Sequence, residues 1–151
     1  MAKKKRPAGK ATMKTSAPAA PTQVSPPTQL HDETATIGWL RQMMREFLEE
    51  RNWHKYHLPR NLAASISVEA GELLELFQWI TPEEARERCA ADAAFRKAVG
   101  EELCDVLMYC MSLANAMDLD VARTVAAKMQ KNREKYPAEK FFGHYERPLG
   151  S

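Results

Sequence analysis

The sequence has few cysteines and no long apolar run, and both shortages limit the classes of protein to which it can belong. Its three cysteines form no C-x-x-C pair, and an odd number does not support a disulfide framework. No apolar run reaches the roughly 18–20 residues needed to span a bilayer, and no apolar signal segment follows the basic N-terminus. These absences predict a cytoplasmic protein with reduced thiols and no membrane contact.

Acidic residues are missing from the first 31 residues, which carry six Lys and Arg side chains, although the whole chain has a net charge of only +2. This segment also holds five of the nine prolines and almost no large apolar side chain. Such a composition buries too little surface to offset the entropy of ordering, so residues 1–33 are predicted to be a disordered basic tail. The motif "KKKR" is also compatible with contact to nucleic acid, but no other feature supports nucleic-acid recognition.

Alternation of polar and apolar residues, which is typical of strands, is missing from the rest of the chain. The patterns there are helical. Thr36 can cap a first helix, and Pro59 forces a break after it. A second helix is predicted from about residue 61 to Trp79. The stretch "TPEEA" has a threonine cap, a proline at the first helical position and two acids, and it predicts a short connecting helix.

Two further aspartates mark the starts of the last helices. Asp92 can cap a long helix that runs to about Met117, and Asp120 can cap a final helix that Pro137 ends. We therefore predict an all-α, four-helix-bundle-like domain at residues 34–142, with one short connecting helix and a C-terminal tail at residues 143–151.

Two pairs of carboxylates interrupt apolar helix faces. At about 100° per residue, Glu69 falls inside the apolar arc of the second helix, Glu72 lies at its edge, and Glu75 lies on the opposite side. The long helix is apolar around most of its circumference, and the remaining stripe holds Glu102 and Asp105. The members of each pair are three residues apart and share one face, so two helices each direct two acids inward.

Four carboxylates at close range cannot all stay ionised unaided. They could share protons, pair with Lys and Arg side chains or bind a metal, and solvated acidic faces are the remaining alternative. Oxygen ligands without His suit a hard cation such as Mg²⁺, or Mn²⁺ as a substitute. A di-iron site would need Glu-x-x-His ligands, which neither pair offers. Because Mg²⁺ completes its shell with water and substrate phosphate, the acids predict a phosphate-bearing substrate.

Cationic and aromatic side chains suggest how such a substrate could be held. Lys128 and Asn132 share a face of the last helix that is predicted to point toward the bundle, where Lys128 could meet a phosphate or only snorkel at the rim. Trp53, His57, Trp79 and Tyr109 lie around the acidic helices. Aromatic residues are usually core, but together they could form the flat slot with polar edges that a nucleobase needs.

The segments "EAGELLE" and "EELCDVLMY" resemble the mark of the MazG-like superfamily of all-α nucleoside triphosphate pyrophosphohydrolases, E-x-x-E, a spacer and E-x-x-D. With "ERNWHKYHLPRNL", "GELLELFQW" and "KMQKNREKYP", the resemblance is to the dCTP pyrophosphatase branch, over roughly residues 36–140. The spacer "ITPEEARERCAADAAFRKAV" cannot be matched residue by residue. The resemblance implies a MazG-type fold and a Mg²⁺-dependent reaction that converts a nucleoside triphosphate and water to a monophosphate and diphosphate, with a preference for dCTP or a related pyrimidine deoxynucleotide.

The resemblance also assigns site residues. It implies four metal ligands: Glu69, Glu72, Glu102 and Asp105. It implies a pocket for cytosine and deoxyribose that contains Trp53, His57, Trp79, Tyr109 and Asn132. It implies a triphosphate-binding end that contains Lys128, Arg133 and Tyr136.

Three catalytic roles follow from these assignments. Glu72 is the first candidate for the general base and Glu75 the second, while Lys128 would hold the leaving diphosphate. The resemblance further implies a homo-oligomer, either a dimer or a tetramer built as a dimer of dimers. Two alternatives stay open: a broad-specificity MazG-type enzyme, and a helical nucleotide-binding module that has lost turnover.

Overall fold

The structure, a computed structural model, describes residues 24–143. That part of the chain contains six helices and no strand, which confirms the predicted all-α class. The helices are α1 (Ile37–Glu50), α2 (Pro59–Glu75), α3 (Pro82–Ala91), α4 (Ala93–Ala116), α5 (Val121–Lys135) and α6 (Ala138–Phe141). Residues 1–23 of the predicted N-terminal tail and residues 144–151 of the predicted C-terminal tail lie outside the described residues.

The predicted caps begin the helices. Side-chain oxygens at four N-cap positions accept hydrogen bonds from the first turn of α1, α3, α4 and α5, namely those of Thr36, Thr81, Asp92 and Asp120. In α3 the Glu84 carboxylate also accepts from the Thr81 amide at 2.7 Å, which completes a capping box. These local bonds satisfy amides that have no partner inside the helix, so the sequence signals for the helix starts are physically sound.

The second helix differs from its prediction at both ends. It begins at Pro59, two residues before the predicted start, because the fixed φ of proline suits the first helical position. It ends at Glu75, where shorter three-residue bonds replace the helical ladder: the Phe77 amide donates to the Leu74 carbonyl at 2.9 Å. Trp79 therefore lies in a turn after the helix and not on its last turn.

Helix α4 is the centre of the fold and packs against α2, α1 and α3. Among the described residues, only three apolar side chains are buried, those of Leu48, Leu62 and Ala114. Helix α5 does not pack closely against any of the other helices, and nearly all of its residues are exposed. Residues 24–143 of a single chain therefore hold α1, α2 and α4 together, but with only a small apolar core.

A polar network joins α1 to the C-terminal end of α4. The Asn115 amide oxygen accepts from the guanidinium groups of Arg41 at 2.9 Å and Arg45 at 2.8 Å, and its amide nitrogen donates to the Arg41 carbonyl at 2.8 Å. Arg41 also donates to the carbonyl of Ala114, one of the last in α4, at 3.3 Å. The two cations thus lie at the negative end of the α4 dipole, where positive charge is favourable.

Replacing Asn115 with Leu should lower the free energy of unfolding by about 1–3 kcal/mol, because it removes three partly buried hydrogen bonds and leaves two guanidinium groups without their shared acceptor. Denaturant unfolding at fixed protein concentration measures the change. Gln130→Leu is the control, since Gln130 only bonds its exposed neighbour Glu134. Equal stability of the two variants would show that the network contributes nothing to the α1–α4 contact.

Candidate active site

The packing of α2 against α4 brings acidic side chains of both helices together. Carboxylate oxygens of Glu69, Glu72 and Glu102 lie within 4.8 Å of one another. Asp105 lies outside this tight group but close enough for its charge to act on Glu69 and Glu102. We call these four residues the acidic cluster. The predicted metal ligands are thus neighbours in space, although they come from two helices separated by a long spacer.

Electrostatics in the cluster are unfavourable in the absence of a cation. Desolvation raises the pKa of Glu69 above the ordinary carboxyl value, and the charges of Glu72, Asp105 and Glu102 raise it further. The pKa of Glu102 is also raised, by desolvation first, by Glu72 next, and then by other nearby acids. Within residues 24–143, none of the four acids forms an ion pair. Pairing with Lys or Arg, one of the alternatives open from the sequence, is therefore not seen there.

Glu75 is nearer to the cluster than its position on the helix predicted. Its charge contributes to the raised pKa of Glu102, although the helical projection placed it on the side opposite Glu69. Glu75 is the last residue of α2, and both it and Glu72 are exposed. Both candidates for the general base therefore lie at the solvent-accessible edge of the acids.

A cavity of about 490 Å³ adjoins the acidic cluster. Four residues that the sequence singled out line it: Trp53, His57, Asp105 and Tyr109. Asp105 belongs both to the acidic cluster and to the cavity wall. A molecule in this cavity would therefore be in contact with the edge of the acidic cluster.

The aromatic residues of the cavity are held in fixed relations. The rings of His57 and Tyr109 are nearly parallel, at 17°, with centroids 6.4 Å apart, and Trp53 packs edge-on against Phe47 at 5.9 Å. The His57 Nδ1 atom lies 3.1 Å from the Trp53 carbonyl, which can only accept, so Nδ1 carries the proton in this contact. In the neutral ring, Nε2 is then the acceptor.

Several predicted site residues are not brought to the cavity within one chain. Trp79 is 86% exposed in the turn after α2 and does not line the cavity. The expectation that α5 faces the bundle does not hold within one chain, because α5 does not pack closely on the other helices. None of the four predicted substrate contacts on α5 and directly after it lines the cavity: Lys128, Asn132, Arg133 and Tyr136. Tyr136 instead packs against Phe141 at 5.3 Å.

Sequence reasoning missed several residues of the cavity wall. Seven lining residues were not singled out: Met43, Met44, Glu46, Phe47, Leu48, Glu50 and Met108. On α1 the apolar members form a stripe with ordinary helical spacing, and Met108 lies on α4. The signal that could have found the site was the presence of Glu46 and Glu50, four residues apart, beside that stripe.

The chain is similar to known proteins in sequence and in fold. Residues 64–147 match the MazG-like family. Rat dCTP pyrophosphatase 1 is 41% identical over 122 residues, which are 81% of this chain and 67% of the rat protein. The human dCTP pyrophosphatase 1 is 42% identical over 103 residues, which are 68% of this chain and 60% of the human protein.

The chain is also similar to a solved structure. The crystal structure of a pyrophosphatase from Archaeoglobus fulgidus is 39% identical, has a TM-score of 0.63, and covers 72% of this chain and 99% of that one. No helix in the described part of the chain is long and apolar enough to cross a membrane. The segment that matches the family contains both halves of the acidic cluster, and the curated relatives extend the likeness to α1. The chain therefore belongs to the MazG-like family, as its motifs had indicated.

Proposed function

We propose that this protein is a metal-dependent nucleoside triphosphate pyrophosphohydrolase that converts dCTP, or a related pyrimidine deoxynucleotide, to its monophosphate and diphosphate. The observation that carries the proposal is the position of Asp105, which joins the acidic cluster to the wall of an aromatic cavity. A nucleoside bound in the cavity would present its phosphates toward the acids. The relatives named dCTP pyrophosphatase 1 support the choice of dCTP.

The acidic cluster fits a hard divalent cation. Its donors are carboxylate oxygens from two helices, and the pKa values of Glu69 and Glu102 are raised by desolvation first and then by repulsion between the acids, which a cation would relieve. Glu69, Glu72, Glu102 and Asp105 would hold Mg²⁺, or Mn²⁺ in its place. When bound, the ion supplies Lewis acidity toward phosphate oxygens and lowers the pKa of a coordinated water.

The chain's own residues would orient the substrate and move the proton. Glu72, and Glu75 as second candidate, would accept a proton from the attacking water at a carboxylate oxygen, since both are exposed at the edge of the acids. Trp53, His57 and Tyr109 would hold the base and exclude water from its faces. These roles predict that water attacks the α-phosphate in line and that diphosphate is the leaving group.

Charge on the leaving diphosphate requires cations, and no Lys or Arg of residues 24–143 lines the cavity. Lys128 and Arg133 lie on α5, which does not pack closely on the other helices of its own chain. We infer that α5 of a second copy brings Lys128, Asn132 and Arg133 to the site, so that the homo-oligomer is a dimer or a dimer of dimers. The small apolar core within residues 24–143 supports assembly, because such a core leaves little stability for a monomer.

A panel of nucleoside triphosphates, assayed with Mg²⁺ or Mn²⁺ for release of diphosphate and monophosphate, tests the proposal. We expect dCTP or a close pyrimidine analogue to have the highest kcat/KM, and chelation of the metal to stop the reaction. Similar rates on all bases would favour a broad-specificity enzyme of the same family. Binding without hydrolysis of any nucleotide would favour the non-catalytic module. The domain at residues 34–142 and the cytoplasmic location stay predictions.

His57→Ala should change base discrimination more than chemistry. The imidazole lines the cavity and offers Nε2 to a base edge, so kcat/KM for dCTP should fall by about 10- to 100-fold, while the rate on a purine triphosphate falls much less. His54→Ala is the control, because this neighbouring exposed histidine does not line the cavity. A parallel fall for both substrates would assign His57 to folding or phosphate binding.

A further inference from the structure

The polar groups that line the cavity differ in whether they already have an ion-pair or hydrogen-bond partner. Asp105 belongs to the acidic cluster, Glu50 pairs with Arg51 at 2.8 Å, and the His57 Nδ1 atom is used by a carbonyl. Glu46 lines the same cavity and forms one hydrogen bond, through Oε1. Its second carboxylate oxygen is an acceptor with no partner among the described residues.

The side chain of Glu46 is held by a short chain of hydrogen bonds. The Gln42 Nε2 atom donates to Glu46 Oε1 at 2.7 Å, one helical turn away. The Gln42 Oε1 atom accepts from the Val24 amide at 2.6 Å. Because a backbone amide can only donate, this second bond fixes which end of the Gln42 amide faces Glu46. Val24 lies inside the range that was predicted to be a tail, so part of that range helps to hold the side chains of Gln42 and Glu46 in place.

We propose that Glu46 is a specificity-determining residue, whose free carboxylate oxygen accepts a hydrogen bond from the exocyclic amine of an aminopyrimidine base, and that Gln42 is its positioning residue. The proposal rests on the proposed function and deepens it. A carboxylate can only accept, and glutamate is a general partner for the cytosine amino group. Uracil presents a carbonyl oxygen at that position, and two facing acceptors repel each other. The cavity should therefore favour cytosine over uracil.

Glu46→Gln tests the assignment, since it keeps the shape and replaces an obligate acceptor by an amide. Gln42 would still donate to the new carbonyl, so the new NH₂ group would face the base as a donor. The ratio of kcat/KM for dCTP to that for dUTP should fall by about 10- to 100-fold, through loss on dCTP and gain on dUTP. Glu49→Gln, which removes the same charge from the next turn of α1 outside the cavity, should leave the ratio unchanged.

Calorimetric titration with dCMP and dUMP separates this proposal from the proposed function. Binding of the monophosphates needs the base site but no turnover, so the dCMP preference of the wild type should disappear in Glu46→Gln even if no triphosphate is hydrolysed. An active enzyme whose dCTP to dUTP ratio survives the substitution would overturn the role of Glu46 and leave the proposed function intact. Equal losses on both pyrimidines would also overturn it, because they would place Glu46 at the sugar.

Gln42→Leu tests the positioning role. This variant keeps Glu46 but removes the donor that orients it, so the dCTP to dUTP ratio should fall by about threefold to tenfold. The loss should appear in KM with kcat unchanged, whereas a merely structural defect would lower both and reduce Tm. An unchanged ratio would show that Gln42 does not position Glu46.

Discussion

Replacing Glu69 with Gln is expected to lower kcat by at least about 100-fold while leaving the chain folded. Glu69 is half-buried in the acidic cluster, and its carboxylate lies within 4.8 Å of those of Glu72 and Glu102. The amide keeps the shape but loses the charge that a divalent cation needs. Steady-state kinetics at saturating Mg²⁺ measure the loss. Asp105→Asn should behave in the same way, because Asp105 joins the cluster to the cavity.

The control for this prediction is Glu87→Gln on α3, which removes an exposed charge away from the cluster. It should retain wild-type kcat. More than about a tenth of wild-type kcat in Glu69→Gln would contradict the metal assignment, since loss of a charged ligand costs far more than that in a metal-dependent step.

Although Glu69→Gln should lower kcat, it should raise the stability of the metal-free protein. The pKa of Glu69 is raised in the folded chain, mainly by desolvation, so its ionised form destabilises the fold. That cost is absent below the ordinary carboxyl pKa of 4.5 and develops as pH rises through the higher folded pKa. Glu69→Gln should therefore raise Tm at neutral pH in the presence of a chelator, and the difference from wild type should close as the pH falls below that range.

The change in Tm on addition of Mg²⁺ tests the metal site independently of activity. A cation that binds only the folded state raises Tm, so the wild type should be stabilised and Glu69→Gln much less. Stabilisation of both proteins to the same extent would place the ion elsewhere.

The accuracy of the sequence reasoning depended on how local each feature is. The side chains of Thr36, Thr81 and Asp92 accept hydrogen bonds from amides two or three residues away, so the local sequence was enough to identify these caps. Glu69 and Glu102 were found because a charge on an apolar helix face is visible in the period of the sequence. That the two residues lie close together was a second inference from the sequence, and the packing of α2 against α4 confirms it.

Other features could not be read from helical periodicity. Trp79 was assigned to the end of a regular helix, but short turns begin after Glu75 and carry the ring into solvent. The inward face of α5 was inferred from its apolar residues, but among the described helices of the single chain α5 has no close partner. The role proposed for Glu46 depends on which residues of α4 lie opposite it across the cavity, and that is not a property of α1 alone.

A single glutamate on the apolar face of α2 and α4 should convert the assembled protein to a monomer. We define this face by Leu74, Leu103 and Leu107, which are 62%, 46% and 47% exposed in the single chain. Leu74 and Leu103 also line an apolar groove between the two helices. Burial of each leucine contributes about 1.5–3 kcal/mol, and a symmetric interface counts each residue twice. Leu74→Glu would therefore remove apolar contacts and bury charge at once.

Analytical ultracentrifugation at micromolar concentration measures the mass. We expect a dimer or tetramer for the wild type and a monomer with a lower Tm for Leu74→Glu. Leu30→Glu is the control, because Leu30 is 70% exposed in the segment before α1 and lies outside this face. An unchanged mass for Leu74→Glu would show that the copies assemble through another surface.

The monomer should also lose turnover while retaining its acids. Glu69, Glu72 and Glu102 are contributed by α2 and α4 of one chain, so a folded monomer should still bind Mn²⁺, as detected by electron paramagnetic resonance. Lys128 and Arg133 do not line the cavity of their own chain, so without a second copy the leaving diphosphate would lose these two cations and kcat should fall by at least about 100-fold. A monomer with near wild-type kcat would mean that α5 closes on its own chain, and the shared site would have to be abandoned.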